Sequence, residues 1–270
     1  MKKGKDTLTI GAIVVYVVGM SLCDNFSKAL GIEKVVTFPF IALFTGLLLF
    51  FIRSNGECSY YGLKKPEKKG RGCLYYIPLV AIGTVNVWFG VKMNMSPLSS
   101  FFYALSILIA GIGEEILFRS LLFRLLEEKS RVMAIVVSSL LFGIGHIVNL
   151  FNGSGNGVWS TLLQICYATT IGLVFVLLFV YTGSTIPAMV THGAINCLST
   201  FHGEGAIKYE TEVSIVLIVV SLLYSFYLMW KIKVEGKKSD SLNRLTPERD
   251  RNYLPHSGEK RKRMPHDSHL

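Results

Sequence analysis

The chain has 270 residues, of which 51% are hydrophobic and only 17% charged. A soluble domain carries about a quarter charged residues; here the apolar residues fall in blocks of roughly 16–25, the length that crosses a hydrocarbon core of about 30 Å. An ordinary cytosolic enzyme, a disordered chain and a secreted disulfide scaffold are thereby excluded, and Cys23, Cys58, Cys73, Cys166 and Cys197, which include no CxxC pair, read as small apolar residues.

The apolar blocks predict an all-α polytopic integral membrane helical bundle of about eight crossings, at 8–23, 35–52, 73–91, 98–124, 132–150, 158–181, 185–200 and 211–230. The first has no small-x-small cleavage site leading into a soluble domain, so no removable signal peptide is expected. The seventh is short and interrupted by Thr191, His192 and Asn196. Residues 1–96 read as N-terminal helices with a basic loop, 97–231 as a helical catalytic core, and 232–270 as a basic, disordered tail.

The net charge of +10 sits on 1–7, 53–72 and 232–270. On a membrane protein such clusters mark cytosolic connections and contact anionic lipid, so lipid is an expected partner and nucleic acid is not. With the N-terminus in the cytosol, only Lys28, Lys34, Lys92 and Lys208 of the 28 Lys/Arg fall on the outer side. An even number of crossings then places both termini in the cytosol. Short loops and the lack of a retention signal point to a bacterial plasma membrane.

An ionisable residue inside a crossing costs a few kcal/mol or more, which makes it a functional-site hypothesis. Asn86 stands near the middle of the third block, and the fourth holds Glu114, Glu115 and Arg119. Glu115 and Arg119 are four apart and can pair on one helix face. Glu114, rotated by about 100°, is left for chemistry. The fifth block carries Phe142 and, after Gly143 and Gly145, His146. In the seventh, His192 and Asn196 share a face. At 1.5 Å per residue, Glu114 and His192 lie roughly 15 and 12 Å from the cytosolic helix ends, and His146 roughly 22 Å. The three depths agree if the fifth helix begins about one turn outside the membrane.

These groups suit hydrolysis of a peptide or protein substrate at the membrane. Glu114 with His146 can activate a water while Asn196 beside His192 stabilises an oxyanion. Alternatively, Glu114, His146 and His192 can hold Zn²⁺ with one position open to water. No HExxH run is present, so this is not the common soluble zinc-protease helix. The bland readings are a buried ion pair, core histidines and an Asn acting as helix glue.

The motifs Glu114-Glu115-…-Arg119, Phe142-…-His146 and His192-…-Asn196 resemble, in order, the EExxxR, FxxxH and HxxxN patterns of the CPBP intramembrane protease family, also called the Abi or type II CAAX prenyl endopeptidase family. The resemblance is specific over about 97–200. It implies a helical membrane peptidase whose site opens toward the cytosol, with Glu114 as base, His146, His192 and Asn196 around it, and Glu115 and Arg119 in support. Family members remove the last three residues of prenylated proteins, or are associated with bacteriocin maturation and self-immunity. A non-catalytic membrane protein of the bacteriocin-immunity type is therefore the main rival reading. An ion-coupled transporter is the other, although the chain lacks the internal repeat and paired broken helices such a fold uses.

Overall fold

The computed structural model describes residues 2–67, 76–151 and 157–245; the run Lys260–Arg263 and the rest of the expected tail beyond 245 lie outside the described residues. Contacts divide the chain into two units, Met1–Met229 and Trp230–Leu270, and the first contains every candidate site residue.

In chain order the helices are α1 (Lys2–Ala29), α2 (Thr37–Ser54), α3 (Ile77–Thr84), α4 (Pro97–Glu115), α5 (Phe123–Glu127), α6 (Arg131–Ile144), α7 (Val158–Thr182), α8 (Ile186–Ser199), α9 (Glu204–Lys208) and α10 (Glu210–Leu245). A 3₁₀ turn, Val85–Val87, follows α3, and a second, Gly145–Leu150, follows α6. Ile116–Leu122, between α4 and α5, is a π-helix. Local chemistry sets the ends. The Ser96 side chain accepts the Ser99 N–H at 3.2 Å ahead of Pro97 at the first helical position. Ser130 caps α6 in the same way through Met133. Gly183, at φ +68°, closes α7 in the left-handed conformation that glycine adopts without penalty.

Among the described residues six helical stretches are long and apolar enough to cross a membrane: Asp6–Ala29, Thr37–Ser54, Pro97–Glu127, Arg131–Leu150, Val158–Thr182 and Glu210–Gly236. The chain is a multi-pass helical membrane protein. Two of the eight expected crossings come out short. The third is the 77–87 stretch, and the seventh, α8, has 14 residues, about 21 Å at the helical rise. Loop bonds flank α8 at both of its ends. At the end carrying the basic loop, Ser120 Oγ donates to Tyr61 O at 2.7 Å and Arg124 Nε to Tyr60 O at 2.8 Å. There Thr185 N, at the start of α8, donates to Gly62 O at 3.0 Å, and Glu67 N to Thr182 O at 3.0 Å. At the other end, just past α8, Lys92 N donates to Phe201 O at 3.0 Å and Asn94 Nδ2 to His202 O at 3.0 Å. The Lys92 ammonium, 2.6 Å from Glu204 Oε1, holds that exposed carboxyl below its usual range. Asn86 Nδ2, the weaker intramembrane candidate, donates to Ile195 O at 2.8 Å and ties the turn after α3 to α8.

Candidate active site

Glu114 and Glu115 are the last residues of α4, and the π-helix starts immediately after them. The uninterrupted α-helix expected over 98–124 is therefore corrected: the wider turn falls at the polar motif. Such π segments are frequent at functional sites. Arg119 sits within it, and all seven of its residues are buried. Glu115 Oε1 lies 3.2 Å from Arg119 Nη1, with both side chains fully buried. Arg119 Nη2 also donates to Gly172 O of α7 at 3.2 Å. Its guanidinium lies 4.1 Å from the centre of the Phe142 ring and 5.6 Å from that of Phe175. Planar, delocalised and weakly hydrated, an Arg head suits such a stacked, buried position better than Lys.

Close backbone approach brings α8 to this pair. A Cβ on Gly111, one turn before Glu115, would lie 3.1 Å from Gly193 N and 3.1 Å from His192 C, so glycine lets the two backbones approach without crowding. His192 is thereby placed between the two acids. Its Nδ1 lies 3.0 Å from Glu115 Oε1 and its Nε2 3.6 Å from Glu114 Oε2. Because Glu115 is the acceptor, Nδ1 carries a hydrogen, and Nε2 is the ring nitrogen that faces Glu114. Glu115 consequently serves two partners, Arg119 and His192, where the sequence suggested one. Asn196 Nδ2 donates to Ile107 O of α4 at 3.1 Å, one turn further along the same helix pair. One of its two amide hydrogens is thus committed to helix–helix contact.

His146 lies in the 3₁₀ turn after α6 rather than in a continuous helix. Its ring packs edge-to-face on Phe142 at 5.8 Å, and Phe142 packs edge-to-face on His192 at 5.3 Å. Phe142 is the wall that both histidines share. Neither ring nitrogen of His146 is hydrogen-bonded within the described structure, and the residue is half-buried within electrostatic reach of Glu114 and His192. Its nitrogens therefore remain open to a ligand.

The donor set Glu114, His146 and His192 does not make a preformed zinc cage. Among the described residues no three His, Cys, Asp or Glu side chains are grouped to hold a metal ion. His192 gives Nδ1 to Glu115, and one Glu114 oxygen accepts a hydrogen bond from the Tyr16 hydroxyl, which leaves His192 Nε2 and Glu114 Oε2 facing the site. Tyr16 belongs to α1, the first of the expected crossings. A lone Tyr in an apolar block carries no spacing signal, and nothing in its neighbours singles it out.

A family model described as type II CAAX prenyl endopeptidase Rce1-like matches residues 96–198. The match runs from the Ser96 cap to the end of α8, holds all three motifs, and is to the family those motifs resemble; α1, α2, α3 and α10 lie outside it. No curated protein and no solved structure matches the chain.

Proposed function

We propose that the chain is an intramembrane endopeptidase in which Glu114 activates the hydrolytic water. The observation that supports this most directly is the buried relay Arg119–Glu115–His192, which ends with His192 Nε2 facing Glu114 Oε2 across 3.6 Å. Arg119 pairs with Glu115, and Glu115 fixes the orientation of the His192 ring. A water bonded to both Glu114 Oε2 and His192 Nε2 is oriented by the pair. Its oxygen attacks the peptide carbonyl carbon while its proton passes to Glu114 Oε2. His146, open on both nitrogens, and the second amide hydrogen of Asn196 are the donors for the resulting oxyanion. When the C–N bond breaks, the proton on Glu114 transfers to the departing nitrogen, and the carboxylate is restored. Phe142 and Phe175 keep bulk water from this exchange.

An apolar groove of about 480 Å³ runs between α3 and α8, lined by Leu79, Val80, Ile186 and Val190. Thr191, beside His192 in the chain, also faces it. A substrate segment lying in the membrane fits there, with its peptide bond delivered toward His192. Such a substrate agrees with the prenylated proteins named by the matching family.

The test is incubation of detergent-purified protein with a peptide library, with products read by mass spectrometry. Wild type is expected to cleave with or without chelator, and Glu114→Gln to lose at least a factor of about 10²–10⁴ in rate. Cleavage that disappears with chelator and returns with metal would replace the glutamate-activated water by a metal-bound one. A wild-type protein that binds but does not cut, or one that conducts ions in liposomes, would replace the peptidase reading altogether.

A further inference from the structure

The first helix has an unusual buried face. Over 6–29, α1 turns Leu8, Ile10, Val14, Val15, Val18, Leu22 and Phe26 outward, as expected of a lipid-facing helix. Only Thr9, Tyr16, Asp24 and Ser27 of this stretch are buried, and each carries a polar head. Lipid tails are as apolar as any leucine, so burial of apolar surface does not hold such a helix in place. Hydrogen bonds do. At the end far from the basic loop, Asp24 accepts from Thr37 Oγ1 at 2.6 Å and from Lys34 Nζ at 2.8 Å. Ser27 Oγ there takes the Val36 N–H at 3.0 Å. Two helical turns away along the same seam, the Tyr16 hydroxyl donates to Glu114 Oε1. Packing fixes the ring that carries this hydroxyl. Tyr16 lies 5.7 Å from the Phe44 ring of α2, and the Phe40 ring fills the space left by Gly19, one turn further on.

We propose that Tyr16 is a positioning residue for the reaction, so that α1, outside the family match, completes the active site. The inference rests on Glu114 being the catalytic carboxylate. A carboxylate has two equivalent oxygens, and a base must present one of them. The phenol occupies Oε1 and fixes the carboxylate plane, which leaves Oε2 turned toward His192 Nε2. A neutral donor on a carboxylate oxygen makes a charge-assisted, directional bond. Tyr16 keeps its proton throughout; no bond to it is made or broken.

The experiment compares wild type, Tyr16→Phe, Phe44→Leu and Glu114→Gln in detergent. Infrared difference spectra against Glu114→Gln isolate the Glu114 carboxylate stretches, whose splitting reports the hydrogen bonds the group accepts, and cleavage is measured beside them. Tyr16→Phe is expected to change that splitting and to lower kcat by about tenfold with KM little changed, the effect of losing one hydrogen bond to a charged group. Phe44→Leu, which loosens the ring without removing the hydroxyl, leaves the splitting in place. An unchanged splitting in Tyr16→Phe, or an equal change in Phe44→Leu, overturns the proposal. Full cleavage by Glu114→Gln would instead remove the proposed function, and the infrared spectra would still decide whether Tyr16 holds Glu114.

Discussion

Replacing Glu115 by Gln separates the structural acid from the chemical one. Glu115 is fully buried, 3.2 Å from Arg119 Nη1 and 3.0 Å from His192 Nδ1. Gln keeps the shape but removes the charge. Arg119, itself fully buried, then retains only Gly172 O and the faces of Phe142 and Phe175. Removing one partner of a buried pair costs about 3–5 kcal/mol in soluble proteins. At about 2–4 °C per kcal/mol for a chain of this size, Tm falls on the order of 10 °C. Glu114→Gln differs because its side chain is 17% exposed and the amide oxygen still accepts from Tyr16. Its stability loss is that of one modified hydrogen bond, about 1 kcal/mol, while activity disappears. The assay is thermal unfolding in detergent beside peptide cleavage. Equal drops in Tm for both variants, with activity retained in Glu114→Gln, would reverse the two assignments.

Gly111→Ala sets a methyl 3.1 Å from the backbone of both His192 and Gly193, which must move apart by a few tenths of an ångström to admit it. It is expected to cost about 1–3 kcal/mol in stability, and about a hundredfold in kcat as His192 leaves Glu115. Gly145→Ala, with nothing within 4 Å of the added carbon, serves as the near-neutral control, checked by the same unfolding and cleavage measurements. Topology is tested by single cysteines at exposed Lys65 and Lys208 in a background without the native cysteines. An impermeant thiol reagent on intact cells should label position 208 and spare position 65, and the opposite pattern refutes a cytosolic N-terminus.

The parts of the site that one helix supplies by itself were legible in the sequence. Glu115 with Arg119, and His192 with Asn196, are four-residue spacings that place two groups on one face whatever the tertiary structure. Long apolar blocks likewise revealed the six long helices, because length against bilayer thickness is a one-dimensional criterion. Relations between helices were not legible. The bond from His192 to Glu115 depends on Gly111 and Gly193 meeting across α4 and α8, and no pattern in either helix announces it. Tyr16 is the sharper case: its partner is 98 residues away. Asn196 was assigned to an oxyanion from its residue type, whereas the fold commits one of its hydrogens to Ile107. The lengths of the third and seventh crossings were misjudged for another reason. Hydropathy does not distinguish helix from the turns and loops that follow α3 and α8.

The π-helix at Ile116–Leu122 sets a limit on how this chain can vary. It joins two helical halves with separate obligations. The α4 half must aim Glu114 and Glu115 at α1 and α8, while the other half must aim Ser120 and Arg124 at the backbone of Tyr61 and Tyr60. A π turn takes up one more residue than an α turn and so offsets the two halves in phase. Winding the stretch as an ordinary α-helix at its present length, or inserting one further residue, would swing one set of contacts by about 100° relative to the other. Between Glu115 and Phe123, then, a change of side chain that keeps the wide turn perturbs packing locally, whereas loss of the wide turn at unchanged length rotates the reacting carboxylate out of register with its anchor. Retention of the π winding across this segment is the constraint to expect among functional variants, more than the identity of the residues that fill it.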